Sequence, residues 1–121
     1  MKMQERDTLV GQVVAFNKAV SDPQRMKMMK IVGSAKPNTV KVGDIAAILG
    51  ISQPAVTKHL QILKDVGLIE RERVGACVYY SVSREGVATY KEVMNEAFAH
   101  VYTPCVNGFE CTTCPQGDTC A

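Results

Sequence analysis

Residues 42–67 read VGDIAAILGISQPAVTKHLQILKDVG, and their spacing decides the architecture. In Val42 to Leu49 the apolar residues Ile45, Ala46, Ile48 and Leu49 fall on or near one face, which predicts a short helix. Gly50-Ile51-Ser52 reads as a tight turn, and Ser52 offers a side-chain oxygen to cap a helix running from Gln53 to Val66. Val56, Leu60 and Leu63 line the inward side of that helix, leaving Gln53, Thr57, Lys58, Gln61 and Lys64 facing out; Gly67 ends it. Two short helices joined by about four residues that include a glycine have the form of a helix-turn-helix.

The flanking sequence extends this unit in both directions. Leu68 to Val74 alternates partly, and Cys77 to Val82 is rich in β-branched and aromatic residues, with Gly75-Ala76 between them as a hairpin tip. A hairpin behind a helix-turn-helix is the wing of a winged helix. Upstream, Leu9, Val10, Val13, Val14, Phe16 and Val20 recur at helical spacing and predict a helix over Asp7 to Val20. Asp22 and Pro23 then open a second helix, through Arg25, Met26, Met29 and Val32, with Gly33 as its expected end. Downstream, Arg84 to Tyr102 carries an apolar stripe of Val87, Tyr90, Met94, Ala97, Phe98 and Val101 and predicts a long last helix. The expected fold is mostly α with a small β-hairpin: a winged helix-turn-helix over residues 1–102, followed by an irregular tail over residues 103–121.

At 121 residues, 46% of them hydrophobic and 21% charged, the chain has the balance of one small soluble domain. No apolar run approaches the ~20 residues that span a bilayer. The acid-containing start, Met1 to Asp7, leads into no signal-peptide core, so a cytoplasmic protein with no membrane partner is expected. Charge is uneven: residues 1–102 hold all 14 Lys and Arg and carry a net +4, whereas the tail carries −2. Basic charge alone is usually solvated surface.

The order of helix, turn, helix and hairpin gives that charge a purpose. A helix-turn-helix sets its second helix in the major groove of double-stranded DNA, with the N-terminal residues at base edges. Here those are Ser52, Gln53, Pro54, Thr57 and Lys58. Gln53 suits a bidentate pair with adenine, Thr57 a base or phosphate, and Lys58 a phosphate or guanine. Ser52 sits at a positive helix terminus that favours the same anion. His59 belongs to this candidate set too, although its spacing puts it partly beside Leu60 and Leu63. On the hairpin, Arg71 and Arg73 share one strand face and suit the backbone or minor groove, while Glu70 and Glu72 point the other way.

These motifs resemble the ArsR/SmtB family of winged-helix repressors. Ala19-Val20-Ser21-Asp22-Pro23-Gln24-Arg25 is similar to that family's L-x-D-P-x-R entry to its second helix. The match continues through Val42 to Leu60, Leu63-Lys64-Asp65-Val66-Gly67-Leu68-Ile69 and Val78-Tyr79-Tyr80, covering about residues 9–102. The resemblance implies a homodimer joined by the first and last helices, an inverted-repeat operator, and release on a metal, metalloid or redox signal. Two familiar sensor sites are missing, however. Val42 to Leu49 contains no cysteine pair, and Arg84 to Tyr102 has His100 as its only histidine and no aspartate.

Sensor ligands must therefore come from elsewhere, and the tail supplies candidates. Four of the five cysteines stand in the last seventeen residues, as Cys105-x5-Cys111-x2-Cys114-x5-Cys120. Cys-x2-Cys is a two-thiolate bite for a soft ion, and the flanking cysteines offer a third and fourth ligand. Arsenite or antimonite, which prefer three thiolates, fit the family and this thiol-only set best. Cadmium, lead or zinc could use three or four, an iron–sulfur cluster needs four, and a Cys111–Cys114 disulfide would make a redox switch. A frayed extension with incidental cysteines is the plain alternative; four exposed thiols in a cytoplasmic protein are, however, an oxidation liability with no packing gain. A thiol–disulfide oxidoreductase is disfavoured because Cys111 and Cys114 lie in a Gly/Pro-containing tail with no sheet nearby in sequence. A protein that binds DNA and merely stores metal is a further alternative. Cys77 reads as structural, Met26, Met28 and Met29 as packing rather than a copper site, and His100 as a cation near a helix end.

Overall fold

The computed structural model describes residues 8–105 and 108–110. Five helices and one hairpin follow in the order α1 (Leu9–Val20), α2 (Pro23–Ser34), α3 (Val42–Leu49), α4 (Gln53–Asp65), β1 (Ile69–Val74), β2 (Cys77–Val82) and α5 (Arg84–Ala99). They divide into two compact units, Lys18–Ala88 on the one hand and Met1–Asn17 with Thr89–Ala121 on the other.

In the Lys18–Ala88 unit the core is built from one side of each element. Met28 and Val32 of α2, Ile45 and Ala46 of α3, Val56, Leu60 and Leu63 of α4, and Leu68 and Ile69 are buried together with Val40. The turn between α3 and α4 follows from its residues. Gly50 adopts φ +67° and its N–H donates to the Ala46 carbonyl at 2.9 Å, a left-handed cap that glycine takes without a Cβ penalty. Two residues on, Ser52 Oγ accepts from the Ala55 N–H at 3.3 Å and starts α4. At the far end Gly67 takes φ +81°, and the Leu68 N–H closes the helix onto the Leu63 carbonyl at 3.1 Å.

The wing is an antiparallel pair with Ile69 opposite Val82, Arg71 opposite Tyr80 and Val74 opposite Cys77. Gly75, at φ +62°, turns the tip in two residues. A third segment joins its base, where the Tyr80 N–H donates to the Val40 carbonyl at 3.3 Å.

The second unit pairs the start of α1 with most of α5. Thr8 caps α1, its Oγ1 accepting from the Gly11 N–H at 2.9 Å. Phe16 and Tyr90 meet edge to face at 5.1 Å, and the Tyr90 hydroxyl donates to Asn17 Oδ1 at 2.9 Å.

Several expected boundaries and faces shift. Asp7 lies outside the described residues, and α1 begins at Leu9, with Val10 and Val14 exposed. Gly33 does not end α2: the helix runs to Ser34 and leaves through an extended Ala35. Gly33 is instead a packing position, since a Cβ there would meet Val82 Cγ2 at 3.3 Å. The methionine that enters the core is Met28, fully buried, whereas Met26 is 51% exposed. α5 stops at Ala99 rather than Tyr102, because the His100 N–H splits between the Glu96 and Ala97 carbonyls and the chain turns ahead of Pro104. Val93 is the buried residue of α5, while Phe98 and Val101 are exposed. On α3, Ile48 is 64% exposed rather than on the inward face. Among the described residues no helix is long and apolar enough to cross a membrane.

Candidate nucleic-acid interface

Burial fixes which side of α4 faces outward. With Val56, Leu60 and Leu63 turned into the core, the i, i+4 geometry of a helix leaves Ser52, Gln53, Pro54, Thr57, Lys58, Gln61 and Lys64 exposed on the opposite side. A shallow open cavity of about 720 Å³ runs along this side, lined by Gln53, Pro54, Thr57, Lys58, Gln61 and Ile62. Among the described residues Gln53 and Thr57 find no hydrogen-bond partner for their side chains, so both carry unused donors and acceptors. The positive end of the α4 dipole opens at Ser52, and among the described residues neither Lys58 nor Lys64 is tied up in an ion pair. Gln61 differs: its Nε2 donates to Asp65 Oδ1 at 2.7 Å.

His59 is turned aside from this surface. It is half-buried, and its Nδ1 lies 3.2 Å from Arg25 Nη1. A guanidinium only donates, so this contact uses the Nδ1 lone pair. Arg25 also donates through Nε to the Ala19 carbonyl at 2.5 Å and through Nη2 to the Lys18 carbonyl at 3.1 Å. It thereby satisfies carbonyls at the end of α1 that have no partner within that helix, while holding α4 through His59. Asp22 caps α2 by accepting from the Gln24 N–H at 2.8 Å, and its other oxygen lies 4.0 Å from Arg25. The Asp-Pro-x-Arg motif is thus the fastening that orients α4. The i, i+3 spacing of Asp22 and Arg25 was its signal in the sequence; that Arg25 reaches His59 was not visible there.

On the wing, Arg71 and Arg73 lie on the face that carries buried Ile69 at its base, and they project beyond the core into solvent. Glu70 and Glu72 occupy the other face and are exposed as well. That acidic face also holds Lys41, which no spacing in the sequence places there. Its Nζ stands 5.9 Å from the Tyr79 ring centroid and 3.9 Å from Cys77 Sγ.

Of the four tail cysteines, Cys111, Cys114 and Cys120 lie outside the described residues. Cys105 is half-buried, and its sulfur accepts the Phe109 N–H at 3.4 Å. Among the described residues no three His, Cys, Asp or Glu side chains converge to hold a metal ion. Any thiolate site would have to draw most of its ligands from residues 111–120.

A three-helix core carrying an exposed second helix and a two-stranded wing defines a winged helix-turn-helix protein. Residues 22–71 match the model for bacterial regulatory proteins of the arsR family. The chain is 39% identical over 66 residues to the transcriptional repressor SdpR of Bacillus subtilis, covering 54% of this chain and 70% of that one. It is 32% identical to a homologue of the cadmium resistance transcriptional regulatory protein CadC from Staphylococcus aureus, over 69% of this chain and 64% of that one. In structure it resembles a homodimeric winged helix-turn-helix domain from Mycobacterium bovis, described as a possible ArsR-family regulator. The TM-score is 0.60 at 23% identity, covering 87% of this chain and 95% of the other. This chain belongs to the ArsR family, whose members are DNA-binding transcriptional regulators and not enzymes.

Proposed function

We propose that this protein is a cytoplasmic transcriptional repressor that binds an inverted-repeat operator as a homodimer and releases it when a soft metal or metalloid binds its C-terminal cysteines. The observation that carries the DNA-binding half is the outward face of α4. Its hydrogen-bonding and cationic side chains, from Gln53 to Lys58, are exposed and unpaired beside a wing bearing Arg71 and Arg73. Ser52, Gln53, Pro54, Thr57 and Lys58 enter the major groove; Arg71 and Arg73 hold the flanking backbone or minor groove. His59 acts from behind, by fixing α4 against Arg25.

Dimerisation through α1 and α5 is supported by apolar side chains that a single chain leaves in water. Val10 and Val14 on α1, Phe98 on α5, and Val101 beyond its end are all exposed. Exposed apolar side chains of this kind are what a subunit interface covers.

The sensing half rests on the concentration of Cys105, Cys111, Cys114 and Cys120 behind α5 and on the likeness to a cadmium-resistance regulator. Among soft ions, arsenite fits an all-thiol donor set that can offer three sulfurs. Ordering the tail at the end of α5 would alter the dimer and with it the separation of the two α4 helices. A coupling of about 1–3 kcal/mol, usual for allostery, corresponds to about 5- to 150-fold weaker operator binding.

The test is fluorescence anisotropy of the reduced, metal-free protein on DNA from its own promoter, titrated with arsenite. Release by arsenite is expected, and the Cys111→Ser/Cys114→Ser variant should hold the same DNA with unchanged affinity and no release. Loss of DNA binding in that variant would contradict the separation of reader and sensor. Binding that ignores arsenite would exclude it as the signal and turn the search to cadmium, lead, zinc, an iron–sulfur cluster or an oxidant.

A further inference from the structure

We propose that α4 reads thymine methyl groups through a carbon-lined strip formed by Pro54 and the γ-methyl of Thr57, in addition to its polar contacts. The inference rests on α4 entering the major groove, as proposed above. The cavity along the outward face of α4 sets carbon surface among its polar side chains. Pro54 presents only ring carbons. Gln61 donates one amide N–H to Asp65 Oδ1 at 2.7 Å, and its methylene stem lines the cavity. Ile62 closes the far end, half-buried. Beside these carbons stand the polar ends of Gln53, Thr57, Lys58 and Gln61.

A surface used purely for hydrogen bonding would leave such a strip either wet or unmatched. In the major groove one apolar feature stands out among the base edges, the C5-methyl of thymine, and threonine methyl groups are suited to it. Duplex DNA is the occupant favoured by charge, since Lys58, which makes no ion pair among the described residues, lines the cavity and the positive end of α4 opens beside Pro54. Thr57 stands at its centre, between Gln53 and Gln61 one turn to either side. Gln53 on adenine and Thr57 on a neighbouring thymine would together favour A·T steps in each half-site.

Anisotropy of the reduced full chain is measured on its own promoter duplex and on the same duplex with every thymine replaced by deoxyuridine. Removing a methyl from each buried contact should weaken wild-type binding by about 4-fold, and a symmetric pair of contacts by about fifteenfold. Thr57→Val keeps the methyl and should show the full drop. Thr57→Ser keeps the hydroxyl alone and should show a distinctly smaller one, from Pro54. Equal wild-type affinity for the two duplexes overturns the inference, as does an equal drop in all three proteins, which would come from altered stacking of the substituted duplex. Failure to bind the natural duplex overturns the DNA-binding reading and this inference with it.

Discussion

A protein carrying Gln53→Ala and Lys58→Ala together is expected to bind its operator about 100- to 1,000-fold more weakly than wild type, with its fold unchanged. A bidentate glutamine–adenine pair contributes about 1–3 kcal/mol of discrimination. Lys58 adds a phosphate or guanine contact, and each 1.4 kcal/mol lost is about tenfold in affinity. Both side chains are exposed and neither holds another part of the protein, so stability should stay within about 0.5 kcal/mol of wild type. Titrations at several salt concentrations separate the two roles. Loss of a phosphate contact at Lys58 lowers the slope of log K against log salt by about one per chain, whereas Gln53→Ala alone leaves the slope unchanged. Full affinity in a folded double variant would move the interface off α4.

The second large effect is on stability, at a position whose importance the sequence conceals. Gly86 sits in the first turn of α5, where its N–H donates to Ser83 Oγ at 2.9 Å. The Ser83 N–H in turn donates to the Leu68 carbonyl at 2.9 Å, fastening the start of α5 behind the end of α4. A Cβ on residue 86 would lie 1.8 Å from the Gly67 carbonyl oxygen and 2.8 Å from its carbon. Both are backbone atoms, so no side chain can rotate away. Gly86→Ala therefore forces the two backbones apart, and overpacking of this kind costs about 1–3 kcal/mol even though alanine is the better helix former. At fixed protein concentration the midpoint of urea unfolding should fall accordingly. Gly43→Ala is the control: its Cβ would meet only Gln53 Nε2 at 3.5 Å, an ordinary contact. Similar midpoints for the two variants would show that the close approach carries no weight.

The helix-turn-helix was legible because each of its boundaries is written in a residue with one strong local preference. Gly50 and Gly67 take left-handed φ, Ser52 caps α4, and Val56, Leu60 and Leu63 define its buried face. Where local preference competes with packing, the reading failed. Gly33 looked like a helix end, yet its missing Cβ makes room for Val82, a contact from the far end of the Lys18–Ala88 unit. Apolar periodicity likewise could not tell Met28 from Met26, since both stand on one short helix, nor show that α5 unwinds at His100.

The candidate site divides along the same line. Its outward residues follow from the buried ones by helical geometry, so Gln53, Pro54, Thr57 and Lys58 could be named from spacing. His59 could not be assigned, because its role depends on Arg25, a residue 34 positions away. The same holds for Lys41, whose neighbours Tyr79 and Cys77 lie on the opposite side of two intervening helices in sequence. On α5 the apolar periodicity points to a face through Phe98 and Val101, yet Val93 is the residue that is buried, and Phe98 and Val101 are exposed.

Sequence-specific DNA binding by this chain is decided by one comparison. The affinity of the reduced, metal-free protein for its own promoter is measured beside that for a scrambled duplex of equal length and composition, at the same physiological salt. A winged-helix reader of base edges should prefer the promoter by about a thousandfold or more. Equal affinity for the two duplexes would mean that α4 and the wing hold only the DNA backbone, and would contradict the account.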